Sequence, residues 1–466
     1  MQADAPYTGE AFERFCGGVG QVTGVALERR PSVCVQYSSG EGMPFARIPD
    51  AVVSPRSTDG VAAVMSLAAA AGVPVTCRGA GTSLEGQVVP VAGGVVLDLS
   101  QMNRIVDVSC EALDCIVEAG VTRKSLNAHL RNTGLFFPID PGADATIGGM
   151  VSTRASGTQA VRYGTMKDNV IAVTVVLPDG RVIRTGSRAR KSATGYDLTS
   201  LFVGAEGTLG VVTEVTLKLA PRPAFQLSGI CQIDDLPQAL AVISQALMHG
   251  LEPSRIELLD AVQTGACARY SRLDALRETN TIMFEFAGDE ADVRRRAGEF
   301  AAICREEAGV SPVYFETPEI HSLYWGARER CYEAALALAP GKKNMGTDAC
   351  VPLDRLAECI LATKRFIGEA GLTAPLVGHV GDGNFHLGIL FDPNDAEETA
   401  RAEALCERVS MLAIELDGAC SGEHGIGLHK RHLLERQHGD ALAVMRAVKA
   451  ALDPAGLMNP GKIFPG

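Results

Sequence analysis

The stretch Pro74-Val75-Thr76-Cys77-Arg78-Gly79-Ala80-Gly81-Thr82-Ser83-Leu84-Glu85-Gly86 decides how the fold is read. A short strand runs into a loop whose three glycines let successive backbone N–H groups converge on one point, while Thr82 and Ser83 add hydroxyl donors. Such a loop suits a pyrophosphate. It is not a G-x-G-x-x-G dinucleotide fingerprint, because no helix of the right phase follows, and the GK[ST] of a Walker loop is missing. Gly18-Val19-Gly20 has no strand before it and carries no weight. Taken alone, the Arg78 loop reads equally well as a plain turn.

Working outward, short β-branched runs alternate with glycine-rich turns from about Asp50 to Leu219. The pattern predicts strands at Val52 to Pro55, Val73 to Thr76, Gly94 to Leu99, Cys115 to Glu118, Val170 to Leu177, Val182 to Arg184 and Gly210 to Leu219. Ser57/Thr58/Asp59 caps a helix from Thr58 to Gly72, and Pro178-Asp179-Gly180 marks a hairpin turn. Pro221-Arg222-Pro223 is a boundary. Beyond it lie longer helices, such as Leu236 to Met248, Ala291 to Ala308, Ile320 to Ala339 and Leu353 to Ala370, with strands such as Thr281 to Phe286 between them. A helix near Asp440 to Leu452 and an extended end close the chain. The fold class is α+β with two domains.

Composition removes several function classes. The chain has 466 residues, which suggests two or three domains. Apolar residues at 46% and charged residues at 21% exclude extensive disorder. The 43 Lys+Arg against 55 Asp+Glu give a net charge of -12, so neither nucleic acid nor anionic lipid is expected as a general partner. The longest uncharged run, Val61 to Cys77, holds Gly72 and Pro74, so no transmembrane segment is expected. Met1 to Phe15 lacks a basic region followed by an apolar one, which argues against a secretory signal. Thirteen Cys without CxxC spacing read as reduced thiols, and Cys110/Cys115 as incidental. A cytoplasmic location follows, with peripheral membrane association left open.

Two further glycine clusters extend the first. Phe137-Pro138-Ile139-Asp140-Pro141-Gly142 is followed by Thr146-Ile147-Gly148-Gly149, Ser156-Gly157 and Tyr163-Gly164; Gly204-Ala205-Glu206-Gly207-Thr208-Leu209-Gly210 precedes a strand. In order and spacing the three clusters resemble the FAD-binding domain of the vanillyl-alcohol-oxidase/p-cresol-methylhydroxylase superfamily, from roughly Asp50 to Leu219 and again at Asp453 to Lys462. The resemblance implies a pyrophosphate on the first loop and isoalloxazine and adenine along the other two. It points to Pro74, Arg78, Gly79, Ala80, Gly81, Thr82, Ser83 and Gly86 in the first loop. In the second cluster it points to Pro138, Asp140, Pro141, Thr146, Gly148, Gly149, Ser156, Gly157 and Tyr163, and in the third to Glu206, Gly207 and Val211. The first His of the chain is His129, past the first loop, so a His tether there is unavailable and FAD is expected to be non-covalent; a Cys tether elsewhere stays open.

Nine His occur, and three sit in two dense motifs. In Gly378-His379-Val380-Gly381-Asp382-Gly383-Asn384-Phe385-His386 the glycines speak against a helix, and Asp382-Gly383 is a strong two-residue hairpin signal. Pairing outward from that turn sets His379 opposite His386, with Cβ atoms roughly 4.5–5.5 Å apart on one face. Two imidazoles so placed can share a metal ion. Cys420-Ser421-Gly422-Glu423-His424-Gly425-Ile426-Gly427 offers a carboxylate as third ligand and an imidazole as base. Two His and one carboxylate leave open positions, as catalytic sites do, without choosing among Zn, Mn and Fe.

HVGDGNFH and SGEHGIG resemble the C-terminal domain of FAD-dependent D-2-hydroxy acid dehydrogenases, the D-lactate, glycolate and D-2-hydroxyglutarate enzymes. The resemblance implies that His379, His386 and Glu423 hold one divalent metal and that His424 is the catalytic base, with Asn384 and Asn459 candidates for hydrogen bonds to flavin or substrate. The metal would acidify the substrate hydroxyl and His424 take its proton while hydride reaches flavin N5. Arg328, in Leu323 to Arg330, matches an arginine-bearing helix of the family and is the expected cation for the substrate carboxylate, Arg330 pointing elsewhere. Ala335 to Pro352 looks most like the D-lactate branch, whereas Lys342 and Lys343 keep the longer diacid D-2-hydroxyglutarate as runner-up, beside a glycolate oxidase-type subunit. The expected domains are 1–220 for FAD, 221–428 as a substrate and metal cap, and 429–466 returning to the FAD domain. Without a nicotinamide site, electrons should leave through a quinone, a cytochrome or an electron-transfer flavoprotein; a homodimer is allowed. A flavin oxidase of aromatic alcohols and a non-catalytic flavin subunit are the rivals. The metal motifs weigh against the first, and the presence of His379, His386, Glu423 and His424 against the second.

Overall fold

The computed structural model describes residues 9–41, 47–315 and 317–464; the first eight residues of the stretch read for a leader lie outside them. Contacts divide the chain into two compact units. One comprises Met1–Ser156, Gly164–Arg222 and Glu423–Gly466, the other Gly157–Tyr163 and Pro223–Gly422.

In the first unit, strands Val25–Glu28, Ala51–Pro55, Val95–Asp98 and Val75–Arg78 lie side by side in that order. Val95–Asp98 is parallel to both of its neighbours, and the helix Thr58–Ala71 makes the crossover between them. That helix starts where Ser57 Oγ accepts the Gly60 N–H at 3.1 Å and stops at left-handed Gly72. Because the Val73 N–H still caps the Ala68 carbonyl, the following strand begins at Val75, two residues later than the sequence pattern suggests. The second sheet of this unit is antiparallel, in the order Ile105–Ser109, Asp114–Glu118, Val211–Lys218, Val170–Val176, Val182–Arg184. The predicted turn at Pro178-Asp179-Gly180 joins the last two.

The second unit is an antiparallel sheet whose central strands are Phe225–Ile233, Asn280–Gly288, Arg255–Leu259, Leu376–Gly378 and Asn384–Phe391. Side chains alternate between its faces. Cys231, Ile256, Leu258, Ile282, Phe284, Phe286, Leu387 and Ile389 pack under the helices Leu236–Met248, Glu290–Ala308, Leu356–Ala370 and Ala396–Glu415. Ile230, Leu259, Met283 and Val377 point the other way, against Ala261–Ser271, Pro318–Glu329 and Cys331–Leu336. Ser228, Arg255, Glu257, Glu285 and His386 share the parity of that second face, which is therefore the polar one. The single helix expected from Ile320 to Ala339 is broken at Arg330 (φ -94°, ψ 21°). No Pro forces this break. Gln263 Nε2 takes the Cys331 carbonyl at 3.1 Å and Arg330 reaches out to Ser271, contacts that only the tertiary fold supplies.

Candidate functional site

The first glycine loop is held from below by the C-terminal segment. Val75 donates to the Leu457 carbonyl at 2.9 Å and Asn459 donates back to Val75 at 2.8 Å, so the chain end pairs with the strand that launches the loop. Gly79 packs so tightly on Thr146 that a Cβ there would sit 2.1 Å from Thr146 Oγ1. Arg78 folds back to donate to the Ser39 carbonyl at 2.8 Å and stacks over Tyr37. Ser83 Oγ is buried without a hydrogen-bond partner, the state expected of a hydroxyl built to meet a ligand oxygen. A cavity of about 440 Å³ is lined by Ala80 of this loop and Thr146 of the second cluster, together with Ser100, Asn103, Gly120, Thr122 and Ser125. The last five escaped the sequence reading. Only Thr122 left a signal, a helix cap whose hydroxyl accepts the Ser125 N–H at 3.2 Å.

The third cluster joins the second, since Gly204 and Glu206 donate to the Val151 and Ser152 carbonyls at 2.8 Å each. Gly157 and Tyr163 instead belong to the second unit. Glu206 turns its carboxylate toward the far end of the Glu-His motif, accepting the N–H groups of Ile426 and Gly427 at 2.8 Å each. Burial pushes its carboxyl up to about 7 even though those backbone donors pull the other way. Asn459 Nδ2 donates to the Gln87 and Glu206 carbonyls, so its amide nitrogen organises protein backbone.

Three side chains thus clamp the segment that carries His424. Glu206 holds Ile426 and Gly427, Gln87 Nε2 donates to the His424 carbonyl at 2.8 Å, and Glu85 holds the rest. The Leu428 N–H meets the Glu85 carbonyl at 2.7 Å, and Gly427, at φ +51°, approaches it so closely that a Cβ would lie 2.0 Å away. The Glu85 carboxylate faces Lys430 Nζ at 2.8 Å, His429 Nδ1 at 3.2 Å and His424 Nδ1 at 3.6 Å. Burial would raise its pKa, but those neighbouring groups together hold it well below the usual carboxylate range. His424 is therefore an imidazole whose Nδ1 faces an anion, the arrangement that readies the other nitrogen to accept a proton.

In the second unit the His379 and His386 rings meet edge to face, 5.5 Å between centroids. The route differs from the expected hairpin. Val377, not His379, is the partner of His386, and Asp382 is not in the positive-φ conformation that a two-residue type I′ turn needs. The connection is a longer loop in which Asp382 and Asn384 both donate to the His379 carbonyl. On the far side of the turn Val351 donates to the Gly383 carbonyl at 3.0 Å. The register is thus displaced by two residues. A displacement of two keeps side chains on the same face, which is why the rings still meet.

Each ring is oriented through Nδ1. His379 Nδ1 lies 2.7 Å from Glu257 Oε1, and His386 Nδ1 lies 3.1 Å from the Thr347 carbonyl. Glu257 is fully buried and also accepts Arg328 Nε at 2.8 Å and Nη2 at 2.6 Å. Burial would push its carboxyl up, but Arg328 and His379 outweigh it and hold the group below its ordinary value. Two of the three nitrogens of the Arg328 fork are therefore committed to Glu257, and Nη1 leans on Cys331 Sγ at 3.4 Å. Buried Asp348 accepts Asn384 Nδ2 at 3.0 Å and Ser421 Oγ at 2.6 Å, while the Gly422 N–H meets its carbonyl at 3.1 Å. Asn384 Nδ2, whose second bond is to the Ala349 carbonyl, thus secures the chain just before Glu423. Arg330 points away from Arg328, as expected. Glu85, Glu257 and Asp348, whose Oδ1 lies 3.6 Å from His386 Nδ1, escaped the sequence reading as partners of the histidines.

Residues 222–463 match the C-terminal domain of FAD linked oxidases, and residues 49–186 match an FAD binding domain. The chain belongs to the FAD-linked oxidase family and is an FAD-dependent oxidoreductase. It is 44% identical over 459 residues to the probable mitochondrial D-lactate dehydrogenase of Danio rerio, covering 97% of this chain and 92% of that one. With the mitochondrial D-lactate dehydrogenase [cytochrome] of Arabidopsis thaliana it shares 44% over 419 residues, 90% of this chain and 74% of the relative. With glycolate oxidase subunit GlcD of Bacillus subtilis it shares 33% over 432 residues, 92% of each. Among solved structures, 4-ethylphenol oxidase from Gulosibacter chungangensis superposes with TM-score 0.76 at 18% identity, over 98% of this chain and 97% of that one. p-Cresol methylhydroxylase superposes with TM-score 0.75 at 17% identity, over 97% and 96%. These two show the fold.

Proposed function

We propose that the chain oxidises D-lactate, or a similarly small D-2-hydroxy acid, to the 2-oxo acid, using non-covalent FAD and one divalent metal held by His379, His386 and Glu423. The observation that carries this reading is the pair of imidazoles, each with Nδ1 engaged by a protein acceptor, on a sheet that also anchors Ser421 and Gly422. Glu423, the next residue in the chain, supplies the third ligand in this reading. The donor set of two nitrogens and one oxygen suits Zn, Mn or Fe(II) and leaves positions open for a chelating hydroxy acid.

When bound, FAD supplies a two-electron acceptor and the metal a Lewis acid that acidifies the substrate hydroxyl. The chain does the rest. His424 accepts the hydroxyl proton, and Glu85, facing Nδ1, stabilises the imidazolium that results. Gln87 and Glu206 fix the backbone on either side of it. Ser83 Oγ, with the Gly79 and Gly81 backbone, receives the pyrophosphate. Arg328, held in place by Glu257 and Cys331, is the cation for the substrate carboxylate in this reading.

The small monoacid is favoured because Lys342 is tied to Glu398, which removes one of the two lysines that could have met a distal carboxylate. No helix of the described residues is long and apolar enough to cross a membrane. Delivery of electrons to a quinone, cytochrome or electron-transfer flavoprotein, from a cytoplasmic or peripherally membrane-associated protein, belongs to this reading. Anaerobic bleaching of the flavin by D-lactate, compared with L-lactate, glycolate and D-2-hydroxyglutarate, tests it. Strong preference for the diacid would overturn the branch, and no bleaching by any 2-hydroxy acid would overturn the class.

A further inference from the structure

We infer that Glu257 is the positioning residue of the metal centre, the group that fixes His379 for coordination and ties it to Arg328. The inference rests on the metal reading above and adds a residue to it.

Three facts carry it. Glu257 sits in the middle of the strand Arg255–Leu259, on the polar face of the sheet, and is fully buried. Its hydrogen bonds run to His379 through one carboxylate oxygen and to Arg328 through the other. The bond to His379 is short, 2.7 Å, and comes from Nδ1. An imidazole that places its proton on Nδ1 to meet a carboxylate keeps its lone pair on Nε2, and the anion makes that nitrogen a stronger donor to a metal.

The same face offers an internal comparison. Glu285 is also buried there and also meets an imidazole, His321 Nε2 at 2.9 Å. Its other hydrogen-bond donors include Ser228 and Ser254, Arg255 adds a positive charge nearby, and His321, on the helix Pro318–Glu329, has its ring against Trp325. Glu257 alone of the two meets a histidine whose ring adjoins another histidine. A carboxylate that needed only charge balance would be satisfied by the Arg328 fork. The further bond to His379 is what a metal ligand requires.

The test uses the FAD-loaded protein and Zn²⁺ as probe, with the dissociation constant measured by competition against a chromophoric chelator. Glu257→Gln should weaken Zn²⁺ binding about 10- to 100-fold while FAD content is retained. Because Arg328 would then be buried without its anion, the double variant Glu257→Gln with Arg328→Met removes both charges together and guards the fold. A purely structural pair predicts that the double variant regains wild-type affinity for Zn²⁺; a positioning role predicts that it stays weak. Wild-type affinity in either variant overturns the role of Glu257 alone. A wild-type protein that takes up no divalent ion overturns the metal reading, and this inference with it.

Discussion

The Glu85 carboxylate lies 2.8 Å from Lys430 Nζ, with both side chains only 5% exposed. That ion pair joins the glycine loop at the start of the FAD-binding unit to the residues just after the Glu-His motif near the chain's end. The same carboxylate faces His424 Nδ1, so the loop proposed to receive the pyrophosphate also faces the proposed base.

Replacing Glu85 by Gln should therefore slow reduction of the flavin by substrate while FAD stays bound. About 10- to 100-fold is the expected loss, less than for His424→Ala, which should cost roughly 10² to 10⁴ as loss of a general base. Stopped-flow bleaching measures both. Lys430, itself buried, would lose the Glu85 anion, which should lower stability, and adding Lys430→Met should restore much of it without restoring the rate.

Glu206 and Lys462 set a pH dependence with opposite signs in adjacent windows. Burial pushes Glu206 up to about 7 from an ordinary value near 4.5. Between those values the folded state holds a proton the unfolded state has lost, so stability falls as pH rises from about 4.5 to 7, by about 3 kcal/mol. Burial pushes Lys462 down to about 7 from near 10.5, so its contribution falls as pH drops from about 10.5 towards 7. Thermal unfolding of FAD-free protein should show Glu206→Gln removing the acid-side slope and leaving the alkaline one. An unchanged acid-side slope would contradict the burial argument.

Gly79→Ala should give protein that loses its colour on gel filtration. A Cβ at 79 would meet Thr146 Oγ1 at 2.1 Å, so loop and second cluster must part, at a cost of about 1–3 kcal/mol to the cradle. In the wild type, acid precipitation should release all the FAD, because no His stands in the first loop to tether it. Flavin remaining in the pellet would show a covalent link.

Much of this architecture was legible because its signals are local. The helix Leu236–Met248 falls where the pattern sets it, behind an Asp235 cap, and the first two glycine clusters lie within the residues that match an FAD binding domain. The pairing of His379 with His386 was legible as a shared face, since a two-residue displacement conserves parity, but not as a register, which depends on Val351 crossing beside Gly383. The partners that give the histidines their roles were not legible. Glu257 reaches His379 from 122 residues away and Glu85 reaches His429 from 344. Neither carboxylate has a local motif; each is an ordinary strand or loop acid until the chain folds. Arg328 was visible as a cation on a helix, whereas its commitment to a buried glutamate was not.

The most direct test of the account is the rate of anaerobic flavin reduction by D-lactate, measured on one preparation before and after removal of divalent metal. The account predicts that D-lactate bleaches the flavin far faster than L-lactate, that metal removal abolishes the bleaching while the FAD stays bound, and that adding the ion back restores it. Reduction at the full rate after thorough metal removal, or equal bleaching by the two enantiomers, would contradict it.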